Sequence, residues 1–75
     1  EKREKFMKNN LESGISDREL DTLKLIAEDL TNQEIADKLF ISLNTVKTHI
    51  KNIYLKFDID SRTKAIAKAK ELGLI

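Results

Sequence analysis

The segment from Ser42 to Phe57 constrains this chain more than any other, because its two sides need different surroundings. At about 100° per residue, Val46, Ile50, Ile53 and Phe57 align in one narrow apolar stripe, the pattern of a helix packed on a core. The opposite side carries Asn44, Thr48 and Lys51, flanked by Lys47 and Asn52, and the segment contains no acidic residue. Ser42 stands where an N-cap hydroxyl accepts a bond from an otherwise unpaired backbone N–H. The spacing therefore predicts a helix over 44–57, anchored on one side and presenting a polar, cationic side outward. A face of that size and charge suits the major groove of double-stranded DNA, with the rest of the chain fixing its angle.

The supporting structure has to be small. The chain has 75 residues, enough for one domain near the lower limit at which a single core suffices. There is no cysteine, so disulfides and thiolate metal sites are excluded, and the one histidine, His49, cannot build a metal site alone. The absence of proline, two glycines and 36% charged residues point to helices joined by tight turns. With no apolar run of membrane-spanning length and no signal-peptide pattern, the expectation is a soluble cytoplasmic chain with no membrane partner. The first residue is not Met, as expected of a piece of a longer protein. The net charge of +1 hides a strong polarity. Residues 16–41 carry seven acids against three bases, and residues 42–70 carry seven bases against two acids. One half thus offers a basic surface to a polyanion although the whole is nearly neutral.

Taken in order, residues 1–14 are mixed in charge, end in Ser13-Gly14 and read as an interdomain linker with Phe6, Met7 and Leu11 as its apolar positions. The folded domain is expected over 15–75. Ser16-Asp-Arg-Glu19 fits a capping box, with Ile15 as its hydrophobic staple. Leu20, Leu23, Ala27 and Leu30 follow at helical spacing with Ile26 beside them, while Leu25 falls off that stripe and either closes the core edge or faces the linker. A second capping box at Thr31-Asn-Gln-Glu34 starts a short helix that buries Ile35, Ala36, Leu39 and Phe40. The turn at 41–44 lacks the glycine often found there, which leaves its geometry to Ser42 and Asn44. Beyond Phe57, Ile59 plugs the core from a short connector. Ser61 caps a last helix with Ala65, Ile66, Ala69 and Leu72 facing in and Lys64, Lys68 and Glu71 facing out, and Gly73 supplies a left-handed closure. The small alanines allow close approach of another helix, from this domain or from a second copy. The expected fold class is all-α, a four-helix (tetrahelical) helix-turn-helix domain.

With these helices placed, residues 15–75 closely resemble the LuxR-type helix-turn-helix domain, also called NarL/FixJ or GerE-like. The resemblance is carried by an ordered set of motifs. It runs from Ile15-Ser-x-Arg-Glu19 through Leu23-x-Leu-Ile-Ala27, Asn32-x-Glu-Ile-Ala36 and Leu39-x-Ile-Ser42. It continues in Thr45-Val-Lys-x-His49, Asn52-Ile53, Lys56, Ser61-Arg-Thr-x-Ala65 and Gly73-Leu74. It implies the C-terminal DNA-binding domain of a bacterial transcription regulator, following a receiver or ligand-sensing domain. It also implies dimers on inverted-repeat sites, joined through the last helix around Ala65, Ala69 and Leu72, and contact with RNA polymerase. Residue by residue, Lys47, Thr48 and Lys51 match positions that face base edges. Thr31, Asn32, Asn44, Thr45, His49, Lys56 and Arg62 match positions near phosphates. Three departures stand out: Asp29 in place of a usual glycine, Phe57 in place of leucine, and Leu55 in place of a commonly basic residue.

On this reading Lys47 or Lys51 addresses a guanine edge and the Thr48 methyl packs on a thymine. Arg62 has an alternative role, pairing with Glu19 or Glu34 to lock helices together. His49 is a packed or phosphate-facing imidazole and no catalytic base, because no serine, cysteine or carboxylate partner is placed beside it. The rival class is a protein-interaction module that keeps this fold and uses Leu55 and the last helix as its surfaces. An enzyme is excluded by the lack of a phosphate-binding glycine loop and of a metal constellation; no cofactor is expected.

Overall fold

The computed structural model describes residues 14–75; the expected linker at 1–14, with Phe6, Met7 and Leu11, lies outside the described residues except for Gly14. Among the described residues there are four helices and no strand: α1 (Asp17–Ala27), α2 (Asn32–Leu39), α3 (Leu43–Phe57) and α4 (Arg62–Glu71). This is the all-α, four-helix arrangement the periodicity predicts. The predicted recognition helix begins one residue earlier than expected, directly after Ser42.

Each helix starts on a hydroxyl. Ser16, Thr31, Ser42 and Ser61 each accept a bond from the backbone N–H three residues on, which satisfies one of the donors a helix start leaves unpaired. The boxes at Ser16/Glu19 and Thr31/Glu34 are both complete, with each glutamate reaching back to the cap N–H. Ile15 and Leu20 share one buried cluster, as the staple predicts.

The helix ends share a second rule. In each, a residue with positive φ turns the chain, and the next N–H bonds to a carbonyl five residues back. The turning residues are Asp29, Phe40, Asp58 and Gly73, at φ 68°, 58°, 57° and 74°. The closing bonds run from Leu30 to Leu25, Ile41 to Ala36, Ile59 to Tyr54 and Leu74 to Ala69. The apolar residue after each turn folds back against the core. Asp29 therefore closes α1 by adopting the left-handed backbone itself, in place of a glycine. The turn before α3 rests on the left-handed Phe40 together with Ser42, the expected cap, which accepts from the Thr45 N–H.

Two apolar clusters form the core. One gathers Ile15, Leu20, Leu23, Ile53, Phe57, Ala65, Ala69 and Leu74; the other gathers Leu25, Ile26, Ile35, Ala36, Val46 and Ile50. Helix α3 contributes to both, its stripe divided between them, and Tyr54 touches each. The helix is therefore held along its whole length, which fixes its direction as well as its position.

Three expectations are corrected, and one left open, the place of Leu25, is decided. Phe40 is 94% exposed and not part of the core, because a left-handed residue at the helix end directs its side chain off the buried stripe. Ala27 is exposed: the buried arc of α1 is centred on Leu23 and Ile26 and takes in Thr22 and Leu25, to one side of the stripe drawn through Ala27. Leu25 closes the core edge. Ala65 and Ala69 are fully buried within this domain, so the close approach they allow is to α1 and α3 and not to a second copy.

Candidate nucleic-acid interface

The hydroxyl of Ser42 accepts from the Thr45 N–H at 3.1 Å and lies 2.9 Å from the Thr45 hydroxyl, so the cap satisfies a donor of the first turn of α3. From that start Asn44, Lys47, Thr48 and Lys51 are exposed, and Thr45, His49 and Asn52 are half-buried along the flanks. Among the described residues neither Lys47 nor Lys51 makes an ion pair. The three side chains expected to face base edges thus lie together on the free side of the helix. Lys47 and Lys51 also line a cleft of about 330 Å³ with Asn32, Ile50, Tyr54, Leu55 and Ile59. Leu55, about 12 Å along the helix from Lys47, is 69% exposed at the far end of this cleft.

The expected phosphate-facing residues separate into two groups. Asn44 and His49 belong to the outward side and flank of α3. Thr31, Asn32, Thr45, Lys56 and Arg62 all have partners within the protein. Thr31 is the N-cap of α2, and its own N–H donates to Glu34 at 2.8 Å. The Lys56 ammonium donates to Glu19 Oε1 at 2.6 Å, tying the end of α3 to the start of α1. Arg62 donates to the Leu30 carbonyl at 2.6 Å and to Asn32 Oδ1 at 2.9 Å, tying the start of α4 to the link between α1 and α2. Arg62 does lock helices together, but neither Glu19 nor Glu34 is its partner, because those carboxylates are engaged by Lys56 and by the Thr31 N–H.

Glu19 is the buried charge that sequence reasoning missed, at 4% exposure. Burial pushes its carboxyl upward. The Lys56 hydrogen bond, the Ser16 N–H, the Lys56 charge and the Ser16 hydroxyl together outweigh burial, and the group is held below its ordinary value. Its capping-box spacing was the available signal, but only for the local half of the arrangement. Thr22, buried completely, is satisfied by donating to the Arg18 carbonyl at 3.0 Å. Among the described residues no group of His, Cys, Asp or Glu is placed to hold a metal ion, and no helix is long and apolar enough to cross a membrane.

An unpartnered cationic helix face, on a helix tied at its far end to α1 through Lys56 and Glu19, is suited to a rigid, polyanionic groove. Comparison with known proteins points the same way. The family model described as bacterial regulatory proteins, luxR family, matches residues 13–69. Over 61 residues the chain is 49% identical to the transcriptional regulatory protein LiaR of Bacillus subtilis, covering 81% of this chain and 29% of that protein. It is 43% identical over 61 residues to the response regulator protein VraR of Staphylococcus aureus, with the same coverage. Among solved structures it is similar to the response regulator ChrA of a heme-sensing two-component system, with a TM-score of 0.79, 46% identity, and coverage of 81% of this chain and 30% of that one. The chain therefore spans less than a third of the length of these relatives.

Proposed function

The chain belongs to the luxR family of bacterial regulatory proteins, and from that membership we propose that α3 reads the major groove of its operator through Lys47, Thr48 and Lys51. Helix-turn-helix domains of this family are non-catalytic, sequence-specific DNA-binding modules. The observation that carries the assignment of residues is the division of α3: Val46, Ile50, Ile53 and Phe57 are buried, while Lys47, Thr48 and Lys51 are exposed and the two lysines have no counter-charge among the described residues. Asn44 and His49 flank that face as backbone contacts, joined by the α2 start at Thr31 and Asn32.

The whole protein is then a cytoplasmic transcription regulator whose input domain is a receiver, as in the response regulators it resembles, and RNA polymerase is its further partner. It acts as a homodimer on inverted repeats. Because Ala65 and Ala69 are buried, a contact through α4 would use its outward residues, such as Thr63, Ala67 and Lys70.

Anisotropy titration of a mixed-sequence duplex at two salt concentrations tests the reading. Affinity should fall steeply with salt as phosphate contacts displace counterions. Selection from a random DNA pool should yield paired half-sites, and Thr48→Ala should change the preferred bases within them. Salt-independent binding, or a Thr48 variant with unaltered preference, contradicts the assignment.

A further inference from the structure

Arg62 stands at the first position of α4, and its guanidinium has two engaged ends: one nitrogen donates to the Leu30 carbonyl and the other to Asn32 Oδ1. A guanidinium has donors only, so the side of the Asn32 amide that faces it must be the oxygen. The NH2 group is thereby turned the other way. No acceptor for it is found among the described residues, and Asn32 lines the same cleft as Lys47 and Lys51. Three donor groups without a protein partner thus border one cleft, and one of them is oriented from behind by a residue of another helix.

We propose that Arg62 is a positioning residue for the DNA backbone and not itself a ligand of it. It holds Asn32 with the amide NH2 presented beside Lys47 and Lys51, where it donates to a phosphate. This rests on the DNA-binding reading above and specifies how one backbone contact is built. The planar fork matters: a lysine at position 62 reaches one of the two oxygens but does not hold both in one plane.

The test is a double-mutant cycle on the 75-residue chain with Asn32→Ala, Arg62→Met and the pair, using a mixed-sequence duplex over a range of salt. Each single change should weaken binding about tenfold, the size of one charge-assisted hydrogen bond. The pair should be no weaker than either, and Arg62→Met should leave the salt slope unchanged. Asn32→Asp separates this from a merely structural role, and does so even where Arg62→Met fails to fold. It strengthens the tie to Arg62, raising or preserving the melting temperature, while it removes the donor and lowers affinity well beyond Gln33→Glu, an acid added at the neighbouring position. Three results overturn the proposal: Arg62→Met that still weakens binding in the Asn32→Ala background and flattens the salt slope by about one, which makes Arg62 the phosphate ligand; single variants that bind like wild type; or Asn32→Asp that binds no worse than Gln33→Glu. Failure of the wild-type chain to bind the duplex removes the DNA-binding reading and this proposal together.

Discussion

The two ends of α3 carry the same kind of residue in opposite circumstances. Near its start, Lys47 and Lys51 extend into solvent with no acid beside them; near its end, Lys56 is pinned at 2.6 Å to a carboxylate that is itself almost wholly buried. A lysine count along the helix treats these residues alike. Their surroundings do not: the first two are available to a partner, and the third helps hold the helix still. A recognition helix needs both, because a charged face gains specificity only if its angle to the groove is fixed by something behind it.

The largest effect should come from the free end. Lys47→Ala with Lys51→Ala is expected to weaken operator binding at least about thirtyfold, from two contacts of roughly 1–3 kcal/mol each, with an unchanged melting temperature. Lys56→Ala should do the reverse, lowering stability more than affinity. Titration and thermal melts on the same three proteins would show it, and a Lys56 variant that melts like wild type yet binds poorly would erase the contrast.

The braced end is tested through Glu19. Glu19→Ala leaves Lys56 without its partner and the Ser16 N–H without its acceptor, and should cost about 2–3 kcal/mol in urea denaturation. The folded-state pKa of Glu19 is lowered, so its contribution is present above the ordinary carboxylate range and lost as pH falls through the folded value. Wild type should therefore lose stability on acidification more steeply than Glu19→Gln; parallel pH profiles for the two would remove Glu19 from the account.

The smallest effect concerns the turn that leads into α3. Phe40 is 94% exposed at φ 58°, so Phe40→Gly loses little packing and relieves left-handed strain, with an expected gain of about 1 kcal/mol. Asp29→Gly should gain less, since Asp tolerates that conformation better than an aromatic residue. Chemical denaturation of both would rank them, and destabilisation by Phe40→Gly would show that the exposed ring has contacts of its own.

Much of this molecule is local, and local features are legible in sequence. The hydroxyl caps at Ser16, Thr31, Ser42 and Ser61 and the α3 stripe are patterns over three to eleven positions, and such patterns follow from helix geometry alone. The left-handed ends at Asp29, Phe40 and Asp58 were not legible, because without glycine nothing marks the turn except an apolar residue one position later. Ala27 lies outside the buried arc because a stripe drawn from one helix does not reveal where the neighbouring helices cover it.

Sequence by itself determined that four helices form, where they start, and that one of them has a buried and a cationic side, since those outcomes depend on residues within a turn or two of each other. Only the tertiary structure decided which cations remain free. Lys56 meets Glu19 across 37 positions, and Arg62 meets Asn32 across 30. Whether a charge is engaged depends on what folding brings to within about 3 Å of it, and no spacing along the chain encodes that distance.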